Sequence, residues 1–193
     1  GNAIATQWVT QSISMLGGVV VARGGTLVKT LGDGLMATFG DAESAVCASI
    51  DMHDALASKG LHPASITAPS GRALKLQVGL AYGEVVEMAG DCFGDAVNVA
   101  ARLLEHSGDN ETLVTATVLA ALPAYERGQF RRLDHLQLRG RAEPVEVHIL
   151  ETRQITDMAA TAFGDIMANP EPEGVRLIWL DVNQIFACSS MPV

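Results

Sequence analysis

Hydrophobic positions in the first 22 residues recur at helical spacing, with Val9, Ile13, Leu16 and Val20 on one stripe. Asn2, Thr6, Gln7, Thr10, Gln11, Ser12 and Ser14 interrupt the apolar run, so the segment predicts an amphipathic helix rather than a membrane span. It also lacks the basic start and continuous apolar centre of a secretory signal, and it opens in mid-helix, as a cut chain would. After Gly24-Gly25, TLVKTL and LMATF are short β-type runs flanking Gly32-Asp33-Gly34, which predicts a hairpin with Asp33 at its turn. From Asp41 to about Lys59 the helical period returns through Ala45, Ala48, Met52 and Leu56, with Asp41 as N-cap. Pro63, Ser65, Pro69, Ser70 and Gly71 mark residues 60–72 as a loop.

LKLQVGLAYGEVVEMAG alternates on both sides of Gly83 and predicts a second antiparallel pair. A helix from Phe93 to about His106, a strand in TLVT, a helix near Ala116 to Leu122 and strands over Phe130–Leu138 and Val145–Glu151 complete an α+β unit spanning residues 1–151. Thr152 to Ala168 reads as helical and Asn169 to Gly174 as a linker, together a segment of residues 152–174. VRLIWLDVNQIF, within residues 175–193, reads as a buried strand and its continuation, with no obvious place in the first unit. The chain shows no internal repeat and no glycine-rich phosphate loop.

Composition narrows the class. The 193 residues are 48% hydrophobic and 18% charged, enough for one core and unlike a disordered or fibrous chain. A net charge of −9 argues against sequence-independent binding to nucleic acid, which needs Lys and Arg against phosphates, but leaves room for a small anion held by a few local cations. Cys47, Cys92 and Cys188 are scattered, without disulfide or zinc spacing, which fits a reducing cytoplasm.

Chemistry concentrates in GDCFGDAVNVAARL. Asn98 and Arg102 lie four residues apart and share a helix face, where both can donate to an oxyanion; the planar Arg fork suits phosphate. A solvated polar face is the competing reading. Asp33 suits a tight turn with or without a function, Lys29 suits a solvent-facing strand, and Cys92 and Phe93 suit packing. Arg139 and Arg141 can hold phosphates or blunt an edge strand, and none of the five His has metal-ligand spacing.

The combination is more specific than its parts. VKTLGDGLMATF, a helix, LQVGLAYGEVV, GDCFGDAVNVAARL and LRGRAEPVEVHIL, in that order, resemble the catalytic domain of class III nucleotide cyclases over roughly Gly1 to Glu151. The resemblance implies a ferredoxin-like α+β fold and a head-to-tail homodimer with its active sites between the subunits. It makes Asp33 one of two metal-binding aspartates for a pair of Mg²⁺ or Mn²⁺ ions. Lys29 and Asp91 match the purine-selecting pair; a Lys donor and an Asp acceptor complement adenine, whose ring N1 accepts and whose amine donates, so ATP is the implied substrate. Asn98 and Arg102 match the residues that orient the ribose and stabilise the transition state when the 3′-hydroxyl attacks the α-phosphorus and pyrophosphate leaves. Arg141 stands where the family usually has a triphosphate-binding Lys.

One element of the pattern is missing. The family's first strand, central in its sheet, carries the second aspartate followed by Gly and Thr, and it should precede Gly1. Three readings account for this: a piece of a longer chain; a replacement by VRLIWLDV, whose Asp181 also follows an apolar run but lacks the Gly and Thr; or a tail that opens a forkhead-associated domain. The functional expectation is an adenylate cyclase, and the alternative is a non-catalytic cyclase-like module for dimerisation or nucleotide sensing.

Overall fold

The computed structural model describes residues 2–57, 75–137, 142–151 and 176–181. The hairpin forms as its pattern predicts, from β1 (Thr26–Leu31) and β2 (Gly34–Phe39). Its two-residue turn is Gly32-Asp33 rather than Asp33-Gly34: Leu31 pairs with Gly34, and Gly32 takes a φ of 60°. A positive φ at the first central position is what a right-twisted hairpin needs, and glycine adopts it without strain. The N-terminal stripe becomes α1 (Asn2–Ala22), and α2 (Ala42–Ala57) follows the hairpin. Asp41 caps α2, its Oδ1 accepting from the Ser44 amide at 2.6 Å.

The pair expected around Gly83 does not form. β3 (Gln77–Tyr82) ends before Gly83, and the next strand, β4 (Val86–Met88), pairs instead with β5 (Asp91–Phe93) in a separate ribbon. The alternation was real, but both faces of β3 are covered, and its neighbours come from distant sequence. α3 (Asp95–Leu104), β6 (Glu111–Thr115), α4 (Ala116–Ala121), β7 (Phe130–Leu136) and β8 (Val145–Leu150) follow in the predicted order. The tail run forms β9 (Arg176–Asp181), which lies in the main sheet.

That sheet runs β1-β2-β9-β3-β6-β8-β7. β9 is antiparallel to both β2 and β3, so those two strands are parallel to each other and joined by the α2 crossover. Successive residues of β2 and β3 point to opposite faces and build two cores. On one face Leu35, Phe39, Val78 and Leu80 pack with Leu16 and Val20 of α1 and with Met52 of α2. On the other, Met36, Ala81 and Leu113 pack with Ala96, Val99 and Leu103 of α3. Each fully buried Leu or Val contributes roughly 1.5–3 kcal/mol relative to exposure, which is why a strand buried along its whole length, such as β2, is mainly apolar, with Thr38 its one polar side chain. The expected loop 60–72, helix 152–168 and linker 169–174, together with Arg139, Arg141 and Cys188, lie outside the described residues.

Candidate active site

The hairpin delivers Lys29 through an irregularity. Leu27 pairs with Ala37 and Lys29 with Met36, so Val28 is an extra residue in the ladder, a β-bulge. In a regular strand Leu27 and Lys29 would share a face. The bulge instead lets consecutive residues face one side: Val28 packs on the α3 core while Lys29 reaches Asp91. The Lys29 Nζ lies 2.6 Å from both carboxylate oxygens of Asp91, across 62 residues of sequence. Both side chains are about one-third exposed, open enough to meet a ligand. The Lys29 bond, followed by the Cys92 amide donating to Oδ1 at 2.8 Å, holds the Asp91 carboxyl below its ordinary range. Asp91 is thus an ionised acceptor beside a fixed ammonium donor.

Asp33 occupies the hairpin turn, half-buried. In the neighbouring ladder Gly34 is the register partner of Asp181, the last residue of β9, so the backbone brings Asp181 to the same end of the sheet as the Asp33 turn. Aspartate is a hard-cation ligand, and Mg²⁺ commonly takes one or two carboxylates and completes its shell with water and substrate phosphate. No cluster of three or more His, Cys, Asp or Glu that could hold a metal exists among the described residues.

α3 carries Asn98 and Arg102 on one face, Asn98 exposed and Arg102 half-buried. The helix sits against β3 at Gly79, where a Cβ would come within 2.5 Å of the Ala100 carbonyl oxygen. Glycine at that position sets how closely α3, and with it the Asn98–Arg102 face, approaches the sheet. The Arg102 Nη1 donates to Glu105 Oε1 at the C-cap of α3, so this guanidinium is held at the end of its own helix rather than by Asp33 or Asp91. The structure therefore joins Lys29 to Asp91 directly and places Asn98 and Arg102 together on a separate helix face.

Cys92 is buried as expected, with burial raising its thiol pKa first of all, but Phe93 is half exposed instead of packed. It stands with exposed Val86 and Met88 on the β4–β5 ribbon, near exposed Leu27, and a groove of about 360 Å³ runs between that ribbon and β1. The alternation of a three-residue strand is too short to reveal this. Two titratable groups also went unmarked by any motif. His53 of α2 bonds the Thr112 hydroxyl at 2.9 Å, and burial lowers its pKa to about 4, a structural histidine. Glu126, before a short 3₁₀ turn (Arg127–Gln129), is buried near Glu43; burial first and the Glu43 carboxylate second push it up to about 7.

A family profile describing the adenylate and guanylate cyclase catalytic domain matches residues 5–152. An uncharacterised protein of Mycobacterium tuberculosis is 40% identical over 107 residues, which cover 54% of this chain and 25% of that protein. An adenylate cyclase of Streptomyces coelicolor is 35% identical over 96 residues, 50% of this chain and 22% of its own length. The chain thus spans about a quarter of the length of these relatives. Among solved structures, an adenylate/guanylate cyclase/hydrolase from Silicibacter pomeroyi superposes with a TM-score of 0.61 at 27% identity, covering 70% of this chain and 76% of that one.

Proposed function

Because the chain belongs to the adenylate and guanylate cyclase catalytic-domain family, we propose that it converts ATP to 3′,5′-cyclic AMP and pyrophosphate. The observation that carries the choice of ATP is the Lys29–Asp91 pair. A nucleotide base entering between them meets an ammonium donor and a carboxylate acceptor, the complement of adenine's N1 and exocyclic amine. Guanine presents a donor and an acceptor in the opposite positions and would leave polar groups unpaired, at about 1–3 kcal/mol each.

The remaining residues follow from their chemistry. Arg102, released from Glu105, would donate in parallel to the α-phosphate oxygens as negative charge builds there, and Asn98, one turn earlier, would orient the ribose. Arg141 would hold the triphosphate. Asp33 and Asp181 would hold Mg²⁺ or Mn²⁺, two ions per site by analogy with the family. Bound there, the ions would lower the pKa of the 3′-hydroxyl and offset phosphate charge. The register of Asp181 beside Gly34 supports β9 as the stand-in for the family's first strand. The exposed apolar residues Leu27, Val86, Met88 and Phe93, next to the Lys29–Asp91 pair, support a second copy covering this face, with the head-to-tail homodimer completing each site from two chains. In that arrangement Asp33 comes from one chain and Lys29, Asp91, Asn98, Arg102 and Arg141 from the other. Among the described residues no helix is long and apolar enough to cross a membrane, and a cytoplasmic setting matches the supply of ATP.

The test is cyclic nucleotide production by the purified chain, with ATP and GTP in parallel and Mn²⁺ present. Cyclic AMP that disappears in Asp33→Ala supports the reading. Cyclic GMP as the main product would overturn the base assignment, and no product from either nucleotide would favour the non-catalytic module.

A further inference from the structure

α3 ends on a glutamate that its own helix disfavours. The C-terminal pole of a helix carries partial negative charge from its unpaired carbonyls, so a cation in the last turn is favourable and a carboxylate there is not. Arg102 fills the favourable position, in the last turn of α3. Glu105, the C-cap residue, stands in the unfavourable one, with a helical φ of −62° and ψ of −19°. Core packing does not explain it either, because its side chain is 55% exposed.

What Glu105 does is hold Arg102. The Arg102 Nη1 donates to Glu105 Oε1, three residues further along the chain. Position along the helix gives this contact its meaning. Residues of an α-helix rise about 1.5 Å each, so Glu105 lies roughly 4.5 Å beyond Arg102 and Asn98 roughly 6 Å before it. A helical side chain ordinarily leans toward the N-terminus, which would bring Arg102 toward Asn98. The Glu105 contact draws the guanidinium the other way, to the far end of the helix. Two donors on one face serve a single phosphate only when their ends converge. A phosphate brought to this guanidinium also meets the Glu105 carboxylate, an acceptor for the same planar fork and a like charge.

We propose that Glu105 is a positioning residue for the cyclase reaction: it draws Arg102 away from Asn98 in the unliganded chain, and the nucleotide phosphate must displace it. This rests on the ATP-cyclase reading above and adds to it the group against which the phosphate competes. The latch is light. Both side chains are partly exposed, and an exposed pair of this kind shifts an equilibrium by roughly 1.5- to 5-fold. Removing the carboxylate therefore raises the share of chains with Arg102 free to engage by up to that factor.

Steady-state kinetics on the full chain, with ATP and Mn²⁺, test this. Glu105→Gln keeps the size of the side chain and removes its charge. It should raise kcat by roughly 1.5- to 5-fold with KM little changed, and the urea midpoint should be no lower than in the wild type, since the helix end is relieved of a negative charge. The same substitution in an Arg102→Ala background should change nothing, because the effect passes through that guanidinium. A kcat that is unchanged or lower in Glu105→Gln, or a gain that persists without Arg102, would overturn the proposal. A wild-type chain that forms no cyclic nucleotide would count against the ATP reading instead. The latch is then read from the NMR signals of the Arg102 guanidinium, which should move in Glu105→Gln; signals that stay in place would overturn it.

Discussion

Replacing Gly79 with Ala probes the contact that seats α3. The added methyl would lie 2.5 Å from the Ala100 carbonyl oxygen and 3.2 Å from the Leu103 Cβ, both on a helix whose other neighbours are buried. Ordinary contact begins near 3.4 Å, so α3 must retreat by about 0.9 Å or β3 must bend by as much. Overpacking of this kind costs roughly 1–3 kcal/mol, a factor of about 5–150 in the folding equilibrium. Urea unfolding should show a lower midpoint at unchanged slope. The functional consequence is separate, because Asn98 and Arg102 ride on the displaced helix, and a misplacement of about 1 Å can cost on the order of a hundredfold in rate. Turnover, measured where the variant is still folded, should therefore fall by roughly ten- to a hundredfold, while bulkier Gly79→Val should be worse on both counts. An Ala variant with wild-type midpoint and wild-type turnover would refute the close seating of α3 as the device that positions this face.

Other outcomes follow from the same geometry. Lys29→Glu sets two carboxylates against each other at the base pocket and should reduce the preference for ATP over GTP by roughly 5- to 150-fold, the value of one unpaired polar group, read as the ratio of kcat/KM values. Arg102→Ala should lower kcat by roughly 10²–10³ with KM little changed if the guanidinium acts on the transition state, and equal losses in nucleotide affinity would contradict that role. Glu126 has a folded pKa of about 7 against an ordinary 4.5, so the folded state binds the extra proton between those values. Its contribution is greatest below about pH 4.5 and is lost as pH rises through 7, by at most about 3 kcal/mol. His53, lowered to about 4, has the opposite sign and costs stability as pH falls from 6.5 toward 4. Glu126→Gln should therefore leave a chain that loses stability more steeply than wild type on acidification from pH 7 to 5, as thermal or urea unfolding across that range would show.

Much of this molecule was legible in its residue order. Helical stripes, the hairpin around Asp33 though not its exact turn residues, the Asp41 cap and the shared face of Asn98 and Arg102 depend on interactions within a few residues, and periodicity reports those directly. The strand character of RLIWLD was equally plain, because the apolar run LIWL suits a strand in the middle of a sheet. Its destination was not. Pairing partners of a buried strand are chosen by which edges are free, and the free edges of β2 and β3 exist only after α2 has carried the chain across. For the same reason the alternation around Gly83 suggested a hairpin that the competing partners β6 and β9 pre-empt. Lys29 and Asp91, 62 residues apart, meet because a bulge at Val28 turns one strand and a short ribbon returns the other. The raised pKa of Glu126 likewise arises from burial beside Glu43, 83 residues earlier in the chain. Local order determines which elements form and what chemistry each face carries; long-range burial and hydrogen-bond closure, which no short window contains, decide which faces meet.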